Sequence, residues 1–134
     1  MTKTIFDDFP LPPAAKLLGW KLNALDQQAG TIEVQFDATT EFTNPAGFIQ
    51  GGFLAAMLDD TLGPAAFAMT SGERMTTTID LHIQFVRPVL PGIITTRARV
   101  INLGANIAFL EGELFDIDGT LSVCASASAI LTKL

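Results

Sequence analysis

Residues 51–69 constrain the fold more than any other part of the chain, because apolar side chains occupy nearly every position around this segment. They are Phe53, Leu54, Ala55, Ala56, Met57, Leu58, Leu62, Ala65, Ala66, Phe67 and Met69. A helix that is apolar on all sides is buried and does not lie on a protein surface. The rest of the chain must therefore surround it. Gly63 and Pro64 are expected to interrupt this helix, because proline removes a backbone hydrogen bond and disfavours helix at the preceding residue.

The segments on both sides of this helix have the patterns of strands. Residues 21–26 and 31–38 are expected to form two strands, and the second alternates apolar and polar side chains. Prolines followed by Gly19 predict a short helix within residues 5–19. Four further strands are expected at 79–85, 93–101, 107–117 and 121–131. An antiparallel sheet with one long helix after its second strand is an α+β arrangement, and we expect a single domain over residues 1–134.

The charge content of the chain excludes one class of partner and favours another. A net charge of −6 with only 8 Lys and Arg residues argues against binding nucleic acid, which needs clustered basic side chains. Charged residues make up 16% of the chain, below the value of about 25% typical of globular domains. Apolar surface is therefore expected to be covered by self-association. We expect a homo-oligomer, either a dimer or a tetramer.

Metal ligands and targeting segments are both scarce in this sequence. Cys124 and His82 are the only cysteine and histidine, too few for an internal disulfide or a typical zinc site. We therefore expect no metal and no cofactor. The first residues lack the pattern of a signal peptide, and the apolar stretch 51–58 is too short to span a bilayer. We expect a cytoplasmic protein with no membrane segment.

The start of the long helix carries the features of a reactive site. The first N–H groups of a helix have no partner within it, and with the helix dipole they form a site for an anion or a developing oxyanion. Gly51 and Gly52 lie at this start, where glycines leave the donors open to a ligand. The segment therefore predicts an oxyanion-binding site at the helix N-terminus.

Two acidic residues, Asp59 and Asp60, follow about two turns later in an otherwise apolar helix. A buried carboxylate without a partner is costly, so these residues need a structural or catalytic reason. Neighbours on a helix point about 100° apart, and Asp59 returns to nearly the same side as Gly51. Asp59 is therefore the catalytic candidate. Asp60 is expected to contact a backbone group, an arginine or solvent.

The residues from Asn44 onward match a known pattern. Asn44-x-x-Gly47-x-x-Gln50-Gly51-Gly52, with Asp59 eight residues after Gly51, resembles the PaaI-like branch of hotdog-fold acyl-CoA thioesterases, in the 4-hydroxybenzoyl-CoA thioesterase superfamily. The similarity extends over about residues 14–131, because the order of helices and strands also agrees. The resemblance implies a hotdog fold, in which a curved antiparallel sheet wraps around one long helix. It also implies hydrolysis of an acyl-CoA or aryl-CoA thioester.

The same resemblance implies roles for individual residues. Gly51 would donate the N–H that polarises the thioester carbonyl, and Asp59 would be the nucleophile or the general base for water. Asn44 would help to place the water or the thioester and hold its loop. Thr78, two residues before Asp80, matches a Ser or Thr that positions water in related sequences. Strand alternation instead puts Thr77 on the face of Ile79, so the choice between the two threonines stays open.

Two positions depart from the family pattern. Gln50 stands where histidine is most common; it can donate and accept hydrogen bonds but does not titrate near neutral pH. It is expected to organise the loop through such bonds. Residues 104–106 lack the basic residue often found there in related proteins. The candidates for coenzyme A phosphates are then Arg74, Arg87, Arg97 and Arg99, of which Arg87, at a strand end, is preferred.

Two other functions remain open. A hotdog dehydratase or hydratase needs a histidine paired with an acid, and His82 lies on a strand outside the helix-start motif. A non-catalytic protein that binds an acyl or aryl ligand would agree with the loss of histidine at Gln50, but it would not need Gly51 and Asp59. Thioester hydrolysis uses both Gly51 and Asp59, and we therefore prefer this function.

Overall fold

The computed structural model of the protein describes residues 3–134. Its helices and strands confirm the α+β arrangement and the short N-terminal helix expected from the sequence. They are α1 (Pro13–Leu18), β1 (Lys21–Asp26), β2 (Thr31–Ala38), α2 (Gly51–Met69), β3 (Arg74–Phe85), β4 (Gly92–Leu103), β5 (Ile107–Phe115) and β6 (Leu121–Lys133). Short 3-10 turns at Ile5–Asp8 and Thr40–Phe42 precede α1 and α2.

The strands form one antiparallel sheet in the order β1-β2-β4-β5-β6-β3. Among the described residues, β1 and β3 are the outer strands. The sheet curves around α2, which contacts strands across its width. This is the hotdog fold that the sequence resemblance implies. Because β3 follows α2 directly yet lies at the edge, one side of the helix faces an open border of the sheet.

The helix α2 packs closely on the centre of the sheet. Leu58 and Leu62 approach Gly112 of β5, where a Cβ atom would lie 3.2 Å from Leu62 and 3.4 Å from Leu58. The absence of a side chain at Gly112 therefore lets the helix reach the sheet backbone. The largest fully buried side chains around this contact are Phe36, Met57, Leu58, Leu62, Ile94, Leu110 and Leu114. Burial of such side chains contributes about 1.5–3 kcal/mol each, so this layer stabilises most of the fold.

The prediction that Gly63 and Pro64 interrupt the long helix is wrong, because α2 is continuous from Gly51 to Met69. Pro64 has no N–H to donate to the carbonyl oxygen of Asp60, four residues earlier. The indole Nε1 of Trp20 donates to that oxygen instead, at 2.9 Å. The side chain of Trp20, which is 44 positions before Pro64, therefore replaces the hydrogen bond that the proline removes.

The segment before β1 packs against the second half of α2. Phe6 and Trp20 pack edge to face with ring centroids 5.3 Å apart. Phe9 packs in the same way on Phe67 of α2, at 5.0 Å. These contacts place aromatic side chains over part of the second half of the helix. Within residues 3–134, no helix is both long and apolar enough to cross a membrane.

Candidate active site

The loop before α2 is organised by Asn44. Its Oδ1 accepts hydrogen bonds from the backbone N–H groups of Ala46, at 2.9 Å, and Phe48, at 3.1 Å. The Asn44 N–H donates to the carbonyl of Phe48 at 2.7 Å, which closes the turn. Gly47 takes a φ of 87° within it, a conformation that favours glycine. The spacing Asn44-x-x-Gly47 therefore builds a fixed turn that delivers the chain to the start of the helix.

The first two N–H groups of α2 are free of partners within the described residues. Gln50 is the N-cap, and its carbonyl accepts from Phe53 at 2.9 Å. The N–H groups of Gly51 and Gly52 have no backbone or side-chain acceptor in this part of the chain. Donors of this kind, at the positive end of a helix, suit a developing oxyanion.

The expectation that the Gln50 side chain organises this loop is wrong. The side chain is exposed and makes no capping hydrogen bond. Its backbone N–H donates to Phe42 at 2.8 Å, but any residue other than proline could make that bond. Asn44 holds the loop instead, and the Gln50 amide faces solvent beside the helix start.

Phe85, which sequence reasoning did not single out, lies against Gly51. A Cβ atom on Gly51 would stand 3.0 Å from Cζ and 3.2 Å from Cε1 of this ring. Phe85 is the last residue of β3, and its ring is half exposed. The helix start is therefore bordered by an aromatic ring. The alternation of apolar and polar residues along β3 indicates that Phe85 faces the helix. The sequence does not indicate which helical residue the ring contacts.

Asp59 lies on the β3 side of α2 and is exposed. Its Oδ1 accepts a hydrogen bond of 2.8 Å from the hydroxyl Oγ1 of Thr78. This bond fixes the carboxylate and leaves Oδ2 without a partner among the described residues. An oriented carboxylate with one free oxygen can take a proton from a bound water.

A β-bulge decides which threonine meets Asp59. The pairing of β3 with β6 shifts between Thr78 and Asp80, so that Ile79 is the extra residue. Thr78 is opposite the buried Ala129 and faces the helix, whereas Thr77 is opposite the exposed Ile130 and faces away. Simple alternation fails here because the bulge shifts the faces by one residue.

Asp80 lies on the outer face of the sheet, away from Thr78. Its Oδ1 accepts hydrogen bonds from the N–H of Ser128 at 3.0 Å and from the Ser128 hydroxyl. These bonds lower the pKa of Asp80 below its usual value. Asp80 therefore ties β3 to β6 at the bulge and does not join Asp59.

Asp60 is half-buried, and within the described residues its side chain pairs with neither a backbone group nor an arginine, which leaves solvent as the expected contact. Its Oδ2 is buried and has no hydrogen-bond partner within the described residues. Burial, with the neighbouring charge of Asp59 as the second cause, raises the pKa of Asp60 to about 6. The indole of Trp20 reaches the backbone carbonyl of the same residue. The two adjacent carboxyl groups are thus in different environments.

The four candidate arginines differ in their contacts. Arg97 pairs with Glu33 at 2.9 Å, and Arg99 pairs with Glu111. Arg74 donates to the carbonyl of Ala105. Arg87 is exposed and has neither an ion pair nor a side-chain hydrogen bond in residues 3–134. It follows by two residues Phe85, the residue whose ring lies against Gly51.

His82 lies outside this cluster. It is opposite Ser126 on the outer face of the sheet and is exposed, whereas Asp59 lies on the helix side. The acid–histidine pair that a dehydratase needs is therefore not formed with Asp59 within the chain. Across residues 3–134, no three His, Cys, Asp or Glu side chains come together as metal ligands.

One concavity of the described chain lies away from Gly51 and Asp59. It has a volume of about 680 Å³ and lies on the outer face of the sheet, lined by side chains that include Glu33, Arg97 and Glu111. Gly51 and Asp59 are eight residues apart on α2, which corresponds to about 12 Å along the helix axis. One chain therefore presents an oxyanion donor and a carboxylate on one side of a helix, but with a gap between them.

The chain is similar to known thioesterases. Residues 46–123 match the thioesterase superfamily. A solved structure of a proposed thioesterase related to phenylacetic acid degradation, from Ralstonia eutropha JMP134, is 36% identical, with a TM-score of 0.88 over 94% of this chain and 95% of that chain. A proposed esterase from Saccharolobus solfataricus is 29% identical over 113 residues, 84% of this chain and 79% of that protein.

The PaaI protein of Escherichia coli, from the phenylacetic acid degradation operon, shares the fold. It is 21% identical and has a TM-score of 0.79 over 90% of this chain and 85% of that chain. The match over residues 46–123 includes Gln50, Gly51, Asp59 and Thr78. The family match therefore covers these four candidate residues and leaves out Asn44. The chain is a hotdog-fold protein and belongs to the thioesterase superfamily.

Proposed function

We propose that the protein hydrolyses an acyl-CoA or aryl-CoA thioester. The observation that carries this proposal is the Asp59 carboxylate, held by Thr78 at 2.8 Å on an otherwise apolar helix. Two unpaired N–H groups, of Gly51 and Gly52, lie on the same helix. A fixed base and an oxyanion site are the two groups that attack of water on a thioester requires.

In the proposed reaction, Asp59 acts as a general base. Its free Oδ2 takes a proton from water, and the resulting hydroxide attacks the carbonyl carbon. The negative charge that develops on the carbonyl oxygen is stabilised by the Gly51 N–H. The carbon–sulfur bond then breaks, and the coenzyme A thiolate takes the proton from Asp59. The products are a carboxylic acid and free coenzyme A. Direct attack by the carboxylate is the alternative that the same position of Asp59 allows.

The distance along α2 supports a site to which two chains contribute. Reacting atoms must approach to about 3–3.5 Å, whereas Gly51 and Asp59 of one chain are separated by about 12 Å. A single bound water cannot bridge that gap. We therefore propose that the Gly51 N–H of one copy and the Asp59 of a second copy form each site.

The exposed edge of β3 supplies a way to bring the copies together. Gly51 lies against Phe85, and Asp59 contacts Thr78, so the two groups border opposite halves of β3. Antiparallel pairing of two β3 edges about a twofold axis between Leu81 and His82 would put Thr78 opposite the second copy's Phe85. Both side chains face the helix layer. Pairing also removes an open sheet edge. The minimum assembly proposed is a dimer, and a tetramer would add a second interface.

Gln50 and Arg87 are proposed to contact substrate. The exposed Gln50 amide lies next to the Gly51 N–H and can donate a second hydrogen bond to the carbonyl oxygen. Arg87 is available for a coenzyme A phosphate, because it has no acidic partner in the described chain. The variant Arg87→Gln is expected to raise KM a fewfold with kcat unchanged. An unchanged KM would remove Arg87 from the site.

A pair of variants at Gly51 tests the oxyanion role. Proline is favoured at the first position of a helix, and the Gln50 ψ of 132° suits a residue before proline. Gly51→Pro therefore removes the N–H and retains the helix. Gly51→Ala adds the same Cβ beside Phe85 but retains the N–H, and it serves as the control. We expect kcat to fall about 100- to 1000-fold for proline, and much less for alanine.

The assay is release of free thiol from a panel of short, long and aryl acyl-CoA substrates. Phenylacetyl-CoA belongs in the panel, because two of the similar proteins are named for phenylacetic acid degradation. A chelator is expected to leave the rate unchanged. No thiol release from any substrate would contradict the proposed function, and equal losses for Gly51→Pro and Gly51→Ala would contradict the oxyanion role.

A further inference from the structure

The position of Phe85 is unusual for an aromatic residue on the helix-facing side of a strand. It is opposite Val123, which is fully buried, yet 54% of Phe85 is exposed. Its ring turns out of the core and lies over the start of α2, with three ring carbons 3.0–3.5 Å from the place of a Gly51 Cβ. No such contact exists at Gly52, where a Cβ would meet open space. The ring therefore limits one side of the helix start only.

A thioester bound at Gly51 would have its acyl carbon beside this ring. An acceptor oxygen lies about 2.9 Å from a donor nitrogen, and the carbonyl and next carbon–carbon bonds add about 1.2 and 1.5 Å. The carbon next to the carbonyl is then within about 5.5 Å of the Gly51 nitrogen. The Phe85 ring already occupies the space next to the Gly51 Cα. An acyl group that leaves the carbonyl on the side of Phe85 must lie along the ring face, and a branch at its first carbon would then meet the ring.

We infer that Phe85 is a specificity-determining residue that rejects acyl groups branched at the carbon next to the carbonyl. The inference rests on the proposed function, because it assumes that the acyl carbonyl binds at the Gly51 N–H. It concerns the shape of the acyl group and not the chemistry of hydrolysis. Since the ring is half exposed, its removal leaves the buried core intact.

Butyryl-CoA and isobutyryl-CoA test this inference, because their acyl groups have the same atoms and differ only in branching. One carbon that fits or clashes in a pocket changes kcat/KM about 10- to 200-fold. The wild-type protein is expected to prefer butyryl-CoA by at least about tenfold. Phe85→Ala should reduce the preference to about threefold, chiefly through faster hydrolysis of isobutyryl-CoA, and Phe85→Leu should give an intermediate ratio.

Phe109→Ala is the matched control, because Phe109 is also half exposed but lies on a strand that does not border Gly51. It should retain the wild-type ratio. The ratio of kcat/KM for the two substrates does not change when a substitution only lowers the amount of active dimer. A wild-type ratio near one, or an unchanged ratio in Phe85→Ala, would overturn the inference while hydrolysis itself stands.

Binding of non-hydrolysable analogues separates this inference from the proposed function. Ketone analogues of the two substrates, with a methylene group between sulfur and carbonyl, are titrated by calorimetry against wild type and Phe85→Ala. Tighter binding of the straight analogue to wild type, and equal binding to Phe85→Ala, would support the filter even for a protein without turnover. Equal binding of both analogues to wild type would reject it.

Discussion

Asp59 and Asp60 are adjacent on α2, yet the first is exposed and the second is half-buried. Asp59 is exposed at the β3 edge and accepts a hydrogen bond from Thr78. Asp60 has a buried Oδ2 that has no partner in the described chain. A rotation of about 100° between neighbours is enough to separate the two environments.

The difference teaches how a helix that is apolar all round can still carry a reactive group. The sheet and the aromatic side chains Phe6, Phe9 and Trp20 cover most of α2. The side toward β3 is the exception, since β3 is an outer strand. Charge is tolerated at low cost only on that side, where solvent or a second copy can reach it. The charge of Asp60 therefore lowers the stability of the folded chain, whereas the carboxylate of Asp59 is available for a reaction.

The largest expected effect distinguishes the two residues by activity. Asp59→Asn keeps the size of the side chain but removes the base, so kcat should fall at least about 100-fold, with KM little changed. Asp60→Asn should retain activity within a fewfold. Steady-state kinetics on one acyl-CoA substrate measure both. An inactive Asp60→Asn beside an active Asp59→Asn would reverse the assignment.

Substitution of Gln50 is expected to have the next largest effect. The exposed amide makes no capping bond within residues 3–134, so Gln50→Ala should leave thermal stability unchanged. A lost hydrogen bond to the reacting oxygen should lower kcat/KM about tenfold. Gln50→His, which retains a donor, should be tolerated. Equal activity of wild type and Gln50→Ala would show that the side chain does not touch substrate.

The burial of Asp60 predicts a pH-dependent stability. Its pKa is raised from 3.8 to about 6 in the folded chain, so the folded state binds this proton more tightly than the unfolded state. Stability should therefore fall as pH rises from 3.8 to about 6, and remain lower above that range. Allowing for partial solvation of the carboxyl group, the cost at pH 7 is about 1–2 kcal/mol.

Asp60→Asn removes this titration. Urea unfolding should show a gain in the free energy of unfolding at pH 7 and a smaller gain at pH 4.5. Glu33→Gln, which removes a carboxylate paired with Arg97, is the control. A gain for Asp60→Asn that does not change with pH would contradict the account of its burial.

The smallest expected effect concerns the hydrogen bond that spans Pro64. Trp20→Phe retains an aromatic ring beside Phe6 but removes the donor to the Asp60 carbonyl. The loss should destabilise the chain by about 1 kcal/mol. Pro64→Ala restores a helical N–H to the same carbonyl, so Trp20→Phe should cost less in that background. Equal costs in both backgrounds would show that the indole N–H does not compensate for the proline.

The order of helices and strands could be predicted from the sequence, but two local features could not. Residues 51–69 are apolar on all sides, and that alone locates the buried helix. Its continuity through Pro64 depends on Trp20, a contact between distant positions that no local pattern contains. The face of the sheet on which Thr78 lies depends on a bulge at Ile79. The alternation of apolar and polar residues does not reveal this extra residue.

The candidate site was predictable to a similar degree. The rotation between adjacent helical residues predicts different environments for Asp59 and Asp60, which the structure shows, because helix geometry is regular. The catalytic role of Asp59 stays a prediction. The contact of Phe85 with Gly51 was not predictable, since it depends on the curvature of β3 and on the rotamer of one side chain. The sequence also could not show that Asn44, and not Gln50, holds the loop, because this follows from the hydrogen bonds of the Asn44 side chain.

The central claim is that Asp59 of one copy acts with Gly51 of another, and mixing two inactive variants tests it most directly. Asp59→Asn and Gly51→Pro are each purified, unfolded together in equal amounts and refolded. Random pairing gives mixed dimers in about half of the population, and each has one intact site and one doubly altered site. A site shared between two copies should restore about one quarter of wild-type activity. If the mixture is only as active as the average of the two variants, each site lies within one chain and the account is wrong.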